Sequence, residues 1–413
     1  MAMNQQEVLT QPKPAQRATV YGVLFAISMV HMLNDSIQAV IPAIFPILKE
    51  SMNLTYVQIG LISFILHGTA SIMQPLVGLY TDSKPLPYLL PLGMGSTFFG
   101  VVGLAFAPNY YIVLCSVLLV SVGSAIFHPE GSRVAYMAAG GKRGLAQSIF
   151  QVGGNFGSSI APLLTILIFI RLGQIGAIWF TILAAVAIGI QMYIAKWYQQ
   201  YLTLYPRVKK ARQEGTANPA RRKQVGAALF ILIVFMFSKA WYAAGVTNYF
   251  PFYLIEIFGL SIANAQIYTF LYLVAAAIGG FLGGPLADRF GRRNVIWFSA
   301  LCSIPFALLL PFSNSLSAYA LLIITGLIIS SSFSVIVVYA QELMPGKVGA
   351  VSGLFFGLAF GLGGIGSLAL GGLADSLGIS FVIQLCGFLP LLGLVTLMLP
   401  SDRKIQEWDK ESA

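Results

Sequence analysis

Charge is scarce in this chain: of 413 residues, Asp, Glu, Lys and Arg together make up 9%, against 57% hydrophobic side chains. A composition this dry excludes an ordinary soluble domain, in which about a quarter of the residues are charged. Cysteine is nearly missing too, with three residues in all. Cys115, Cys302 and Cys386 each fall within an apolar stretch, so small buried thiols are expected there rather than disulfides or a metal site. No Walker lysine motif and no sizeable soluble domain occur, which excludes ATP as the energy source within this chain. A clustered catalytic constellation and an appended signalling domain are absent as well, so neither an enzyme nor a receptor is expected. The first seventeen residues are polar, without the short apolar core and small-residue cleavage site of a signal peptide.

What the chain has in quantity is apolar sequence. Stretches of about 20 residues recur along its whole length, each long enough as a helix to cross a hydrocarbon core of roughly 30 Å. Strand-like alternation does not occur, which favours helices over a barrel. The expected spans are 19–46, 55–80, 87–107, 110–138, 145–170 and 177–198, then 225–256, 263–287, 293–312, 316–344, 349–372 and 379–399. The fold class is therefore an all-α polytopic membrane protein of twelve transmembrane helices. It divides into an N-terminal six-helix half (1–198), a basic linker (199–224) and a C-terminal six-helix half (225–413).

A net charge of +10 could suggest nucleic acid, but the placement of the cations points elsewhere. With the N-terminus in the cytoplasm, the inside segments hold Lys13, Arg17, Lys84, Lys142, Arg143, Lys196, Arg289, Arg292, Arg293, Lys347, Arg403, Lys404 and Lys410. The linker adds Arg207, Lys209, Lys210, Arg212, Arg221, Arg222 and Lys223. The outside segments hold Lys49 and Arg171. Cationic segments resist translocation, so both termini and the linker are expected in the cytoplasm of a cell whose inner membrane the chain spans. The linker can also touch anionic lipid. No nucleic acid partner is needed to explain the basic pI.

The second half repeats the first at a shift of about 205 residues. Gly78 and Asp82, after the second span, correspond to Gly284 and Asp288 after the eighth; Lys142 and Gly144 correspond to Lys347 and Gly349. Six spans separate each pair, and an even number preserves orientation, so the halves are expected to be parallel repeats with a binding site between them. The segment Gly284-Pro-Leu-Ala-Asp-Arg-Phe-Gly-Arg-Arg293 resembles the loop signature of the major facilitator superfamily. Its Gly284, Asp288, Arg289, Gly291, Arg292 and Arg293 form the conformational loop motif. Gly284 is expected to let helices approach closely, and Asp288 to pair with arginines or cap a helix start. The first-half copy, Gly78-Leu-Tyr-Thr-Asp-Ser-Lys84, keeps the glycine and the acid but lacks the following Gly-Arg-Arg.

Three longer blocks, Phe127-His-Pro-Glu-Gly-Ser-Arg133, Gln147 to Ser159 and Tyr339-Ala-Gln-Glu-Leu-Met-Pro-Gly346, resemble the fosmidomycin resistance group of that superfamily. This resemblance implies export of small anionic phosphonates such as fosmidomycin or fosfomycin, driven by inward proton flow, by a functional monomer. Import of an organic anion or a phosphorylated metabolite is the alternative. Ala161-Pro162 stands where Gly-Pro is usual in facilitator exporters. No cofactor and no metal is implied; a proton gradient is preferred over sodium because buried carboxylates and histidines are available.

A charge near the bilayer centre costs on the order of 3 kcal/mol, so the few buried ionisable residues need partners or a wet cavity. His31, Asn34, Asp35 and Gln38 share one face of the first helix at spacings of three or four. That face either lines the cavity or glues helices together, and Asp35, with His31 beside it, is the leading proton site. In the fourth helix, Glu130 and Arg133 can pair beside His128 and Pro129; either Arg133 receives the anion and frees Glu130 for a proton, or the pair is scaffold. His128 is a proton relay or bonds a neighbouring carbonyl. Lys239 in the seventh helix stands nearly opposite Asp35 by the repeat offset, as a salt-bridge partner or, with Arg133, as a cation for the phosphonate. Tyr242 is one turn further on. Gln147, Gln151 and Asn155 recur every four residues on the fifth helix beside Gly153, Gly154 and Gly157, with Gln151 and Asn155 as substrate contacts. His67 reads as a helix-contact residue. Gly349, Gly353, Gly357 and Gly361 form a smooth stripe on the eleventh helix.

Overall fold

The computed structural model describes residues 18–140, 143–204, 219–344 and 348–410. Lys13, Arg17, Lys142, Arg207, Lys209, Lys210, Arg212, Gly346 and Lys347 lie outside the described residues. Every expected span has a helical counterpart, and no strand occurs among the described residues. The long helices of the first half are α1 (Tyr21–Ala43), continued by a short helix Phe45–Met52, then α2 (Tyr56–Ser83), α3 (Leu89–Ala105), α4 (Tyr110–Ala138), α5 (Arg143–Leu164) and α6 (Phe180–Leu204). The second six are α7 (Pro219–Ala244), α8 (Ile262–Phe290), α9 (Arg292–Leu309), α10 in two pieces (Ser315–Ser330 and Phe333–Leu343), α11 (Val348–Leu377) and α12 (Ile379–Phe388). A short helix α13 (Asp402–Lys410) follows. Because α6 runs on to Leu204 and α7 already starts at Pro219, helix occupies both ends of the segment expected to be linker.

Side-chain chemistry at the helix starts sets these limits. Thr55 and Gln58 form a reciprocal capping box at the start of α2, and Asn109, Ser261 and Asn314 accept from the first turns of α4, α8 and α10. Each cap satisfies amide donors that have no partner within the helix. Prolines interrupt the apolar rods: Pro162 removes a donor from α5, and the next turn, Thr165–Phe169, widens to a π-helical one. A second π-helical turn, Gly245–Tyr249, carries α7 on to Phe258.

With lipid outside as apolar as the protein interior, close approach of backbones rather than water exclusion holds the helices together. α5 lies on α1 through three glycines. A Cβ on Gly153 would stand 2.1 Å from the Ser28 carbonyl oxygen, and one on Gly157 2.2 Å from that of Met32. α8 meets α10 in the same way, through Gly279 against Leu327 and Gly283 against Ser331. Gly284 has nothing near it, so the close-approach role expected of it falls to its neighbour Gly283. Leu79, Leu92, Phe99, Tyr111, Leu167, Phe281, Phe312 and Leu316 are among the many large apolar side chains left exposed, as a lipid-facing belt requires. Cys115 belongs to that exposed surface, which corrects the expectation that all three thiols are buried.

The two halves meet along α2 and α11. Gly357 and Gly361 of the expected stripe lie against Ser71, whose hydroxyl donates to the Gly357 carbonyl at 2.5 Å. Further along, Gly364 faces Phe64, Gly60 faces Ser367, and Gly371 faces Tyr56. The seam ends at the tip of the bundle opposite the loop motifs.

Candidate transport site

Asp35 is the centre of the site. From α1 it points at two imidazoles: His31 Nε2, one turn earlier, is 3.3 Å from Oδ2, and His128 Nε2, brought in by α4, is 3.4 Å from Oδ1. Asn34 Nδ2 donates to the same carboxylate at 3.0 Å and Gln38 Nε2 at 3.4 Å. His31 Nδ1 faces the Phe150 carbonyl at 2.8 Å and His128 Nδ1 the Ser124 carbonyl at 3.0 Å. A carbonyl only accepts, so each Nδ1 carries its hydrogen and each Nε2 is left facing the carboxylate. Those contacts become hydrogen bonds only when a proton lies between ring and acid. The room exists because position 154 is glycine: a Cβ there would stand 2.4 Å from His31 Nε2 and 2.8 Å from Asp35 Oδ2. His31 is 3% exposed, Asp35 16% and His128 18%, so the acid and one ring keep an open side while the other ring is sealed.

The third histidine stands closer than its spacing suggested. The His67 ring stacks on Phe360 of α11 at 6.2 Å, and Phe360 also meets His128, at 6.0 Å. His67 Nδ1 faces the Ser63 carbonyl at 2.9 Å. A helix-contact reading of His67 therefore holds, with the added fact that the contact crosses between halves beside the site.

Arg133 lies elsewhere. Its guanidinium bonds the fully buried Glu130, and reaches across to Asp82 Oδ1 at 2.8 Å and the Gly78 carbonyl at 3.2 Å. The Tyr198 hydroxyl approaches the other Glu130 oxygen at 3.5 Å. This is the pairing that the scaffold alternative expects, and it brings a cation, Arg133 on α4, to the acid of the first-half loop motif, which lacks the following Gly-Arg-Arg.

Lys239 does not meet Asp35. Its Nζ donates to Ser332 Oγ at 2.6 Å, Ser332 donates to Ser299 Oγ at 2.9 Å, and Ser299 to the Ile329 carbonyl at 3.1 Å. The chain of bonds sits inside the C-terminal half, where α10 is broken at Ser331 and Ser332 and α9 packs against it. The repeat offset relates the two positions along the chain but not their directions: the two side chains turn into their own halves. Tyr242, Ser238 and Ser303 line a small void beside the same lysine. Among the described residues no carboxylate is within ion-pair distance of Lys239. Gln151 and Asn155 are exposed on the side of α5 turned away from α1, while Gln147 Nε2 donates to Ser132 Oγ at 2.7 Å.

The second-half loop motif is built differently from the expectation. Asp288 is exposed and makes no hydrogen bond or ion pair among the described residues. The start of α9 is capped instead by Asp402 of α13, which accepts from the amides of Arg292 at 2.7 Å and Arg293 at 3.2 Å. Gly291, at φ +89°, makes the turn that brings them together. Arg292 pairs with Glu342 at 2.8 Å, Arg293 lies over Trp297, and Arg289 over Phe290. Asp402 is far away in sequence, and no local motif could have pointed to it.

The family model of the Major Facilitator Superfamily matches residues 24–365 and 258–413. The chain belongs to that superfamily. This facilitator is a multi-pass membrane transporter rather than an enzyme. It is 54% identical over 400 residues to an uncharacterized transporter of the same type, YfnC of Bacillus subtilis strain 168, covering 97% of each chain. It is 47% identical over 402 residues to the fosmidomycin resistance protein of Escherichia coli K12, covering 95% of this chain and 98% of the relative. Among solved structures, a bacterial homolog of the human lysosomal transporter Spinster, inward-facing and occupied, superimposes with a TM-score of 0.70 at 15% identity over 95% of this chain and 96% of the other. At that identity the likeness concerns the fold.

Proposed function

We propose that this transporter exports small anionic phosphonates of the fosmidomycin and fosfomycin type by alternating access, coupled to inward proton flow. The resistance named for its relative at 47% identity supports the cargo class. One observation supports the coupling: a partly open carboxylate, Asp35, held between two imidazoles whose Nδ1 atoms are both committed to carbonyls. A proton bound there converts one of the two acceptor-facing contacts into a hydrogen bond, and its release to the cytoplasmic side resets the site. Lys239 is the cation for the anionic cargo, exchanging its Ser332 hydroxyl for a phosphonate oxygen. With both termini in the cytoplasm of the inner membrane, export is uptake in inside-out vesicles, and the single chain is the working unit.

The test is uptake of labelled fosmidomycin and fosfomycin into inside-out vesicles carrying the protein. Uptake that follows an imposed proton gradient and stops on adding an uncoupler is the expected result. Failure to accumulate either compound overturns the cargo, and accumulation indifferent to the uncoupler overturns the coupling.

A further inference from the structure

At the tip of the bundle opposite the loop motifs, one half caps a helix of the other. The Asp375 carboxylate, in the last turn of α11, accepts from the backbone amides of Tyr56 at 2.8 Å and Val57 at 2.7 Å, the first two residues of α2. The helix's own capping box, Thr55 with Gln58, satisfies different amides. Asp375 therefore takes two donors that α2 cannot satisfy itself, and puts a negative charge at the positive end of its dipole. The same few residues hold a second cross-half bond, from the Tyr56 hydroxyl to Glu256, with the Lys49 ammonium 4.5 Å over the Tyr56 ring. Below them Asn248 donates to Ser63 at 3.0 Å and to Ser367 at 2.9 Å, tying α2, the extension of α7 and α11 together.

We infer that Asp375 is the latch of this gate: its carboxylate holds the two halves shut at this tip by capping α2, and must let go each time the halves part there. Apart from Glu256, which takes the Tyr56 hydroxyl, the other charges named at the bundle ends have partners in their own half: Arg133 with Glu130 and Asp82, Arg292 with Glu342, Asp402 with the start of α9. Bonds within a half survive a rocking motion of half against half; the Asp375 bonds do not. Glycine along the seam at positions 60, 364 and 371 lets α2 and α11 come close enough for a short aspartate to reach the α2 amides. When the tip opens, the two amides return to water, as amides at a helix start can. Opening therefore has a definite cost without leaving buried polar groups stranded. Asp375 is a positioning residue, and the inference requires only that the halves part at this tip, whatever the cargo or driving ion.

Opening is read by cysteine labelling. In a background with Cys115, Cys302 and Cys386 replaced by serine, Ser63→Cys places a thiol beneath the latch, where the serine is 1% exposed. A membrane-impermeant maleimide is applied to each face of vesicles in turn. Asp375→Asn keeps the shape and removes the charge, and is expected to speed labelling from one face by about tenfold or more, as loss of charge-assisted bonds to a closed state implies. Val57→Pro removes the other partner, the amide, at a second helical position that already carries proline in Phe45-Pro46 of this chain. It is expected to speed labelling from the same face, and adding Asp375→Asn to it to produce little more. Unchanged labelling in either single variant, in protein that purifies as a single sharp species, overturns the latch. So does a double variant whose rate is the product of the two single effects. Labelling needs no cargo, so a wrong cargo assignment leaves the result intact.

Discussion

The halves share a plan and differ in chemistry on corresponding helices. α4 and α10 occupy corresponding places, starting at Tyr110 and Ser315 and ending at Ala138 and Leu343. In α4 the helix runs unbroken through His128 and Pro129, and the histidine serves an acid on α1. In α10 the helix breaks at Ser331 and Ser332, and Ser332 takes the ammonium of Lys239 on α7. One half thus holds an acid between bases, and the other a cation among hydroxyls. Had Asp35 and Lys239 paired, each would have neutralised the other and neither would remain available to a proton or an anion. The same contrast recurs at the loop motifs. The first-half acid Asp82 is engaged by Arg133, whereas the second-half acid Asp288 has no such partner among the described residues and Asp402 does the capping.

Four outcomes break or sharpen this comparison. The largest is structural: Arg133→Ala leaves Glu130 charged, fully buried and without its guanidinium, and should destabilise the first half by about 3–5 kcal/mol, read as a lowered thermal midpoint in detergent. Next, Asp35→Asn should reduce proton-driven export by roughly a hundredfold, equivalent to about 2.7 kcal/mol, while leaving the thermal midpoint nearly unchanged. Comparable export by that variant would move the coupling site out of the first half. Lys239→Gln should raise KM for the anion by roughly tenfold with little change in maximal rate, as loss of one charge-assisted bond implies. A fall in expression with KM unaltered would instead make the lysine a strut for the broken helix. The smallest pair compares the loop acids: Asp402→Asn should lower stability by about 1 kcal/mol, the value of a helix cap, and Asp288→Asn by less than about 0.5 kcal/mol.

Much of the site could be read from spacing along single helices. His31, Asn34, Asp35 and Gln38 are neighbours on one helical face whatever the helix packs against, and Glu130 and Arg133 meet one turn apart for the same reason. The glycines of α5 could be read too, because a backbone without Cβ has one common use between membrane helices. Partners from distant spans could not. His128 reaches Asp35, Asp82 reaches Arg133, and Asp402 reaches α9 only through the rotation of each helix about its axis, a quantity that hydropathy leaves open. The same gap produced the Asp35 to Lys239 expectation: the two side chains turn to partners in their own halves.

Solvent preference and chain connectivity act locally, so the sequence by itself determined that this protein spans a membrane in two related sets of six helices. It also determined that its rare charges would be costly wherever they fell. Which charges meet depends on side-chain direction at contacts between segments hundreds of residues apart. Only the tertiary structure decided that His128 joins His31 at Asp35, that Lys239 rests on a broken helix, and that Asp375 caps a helix of the other half.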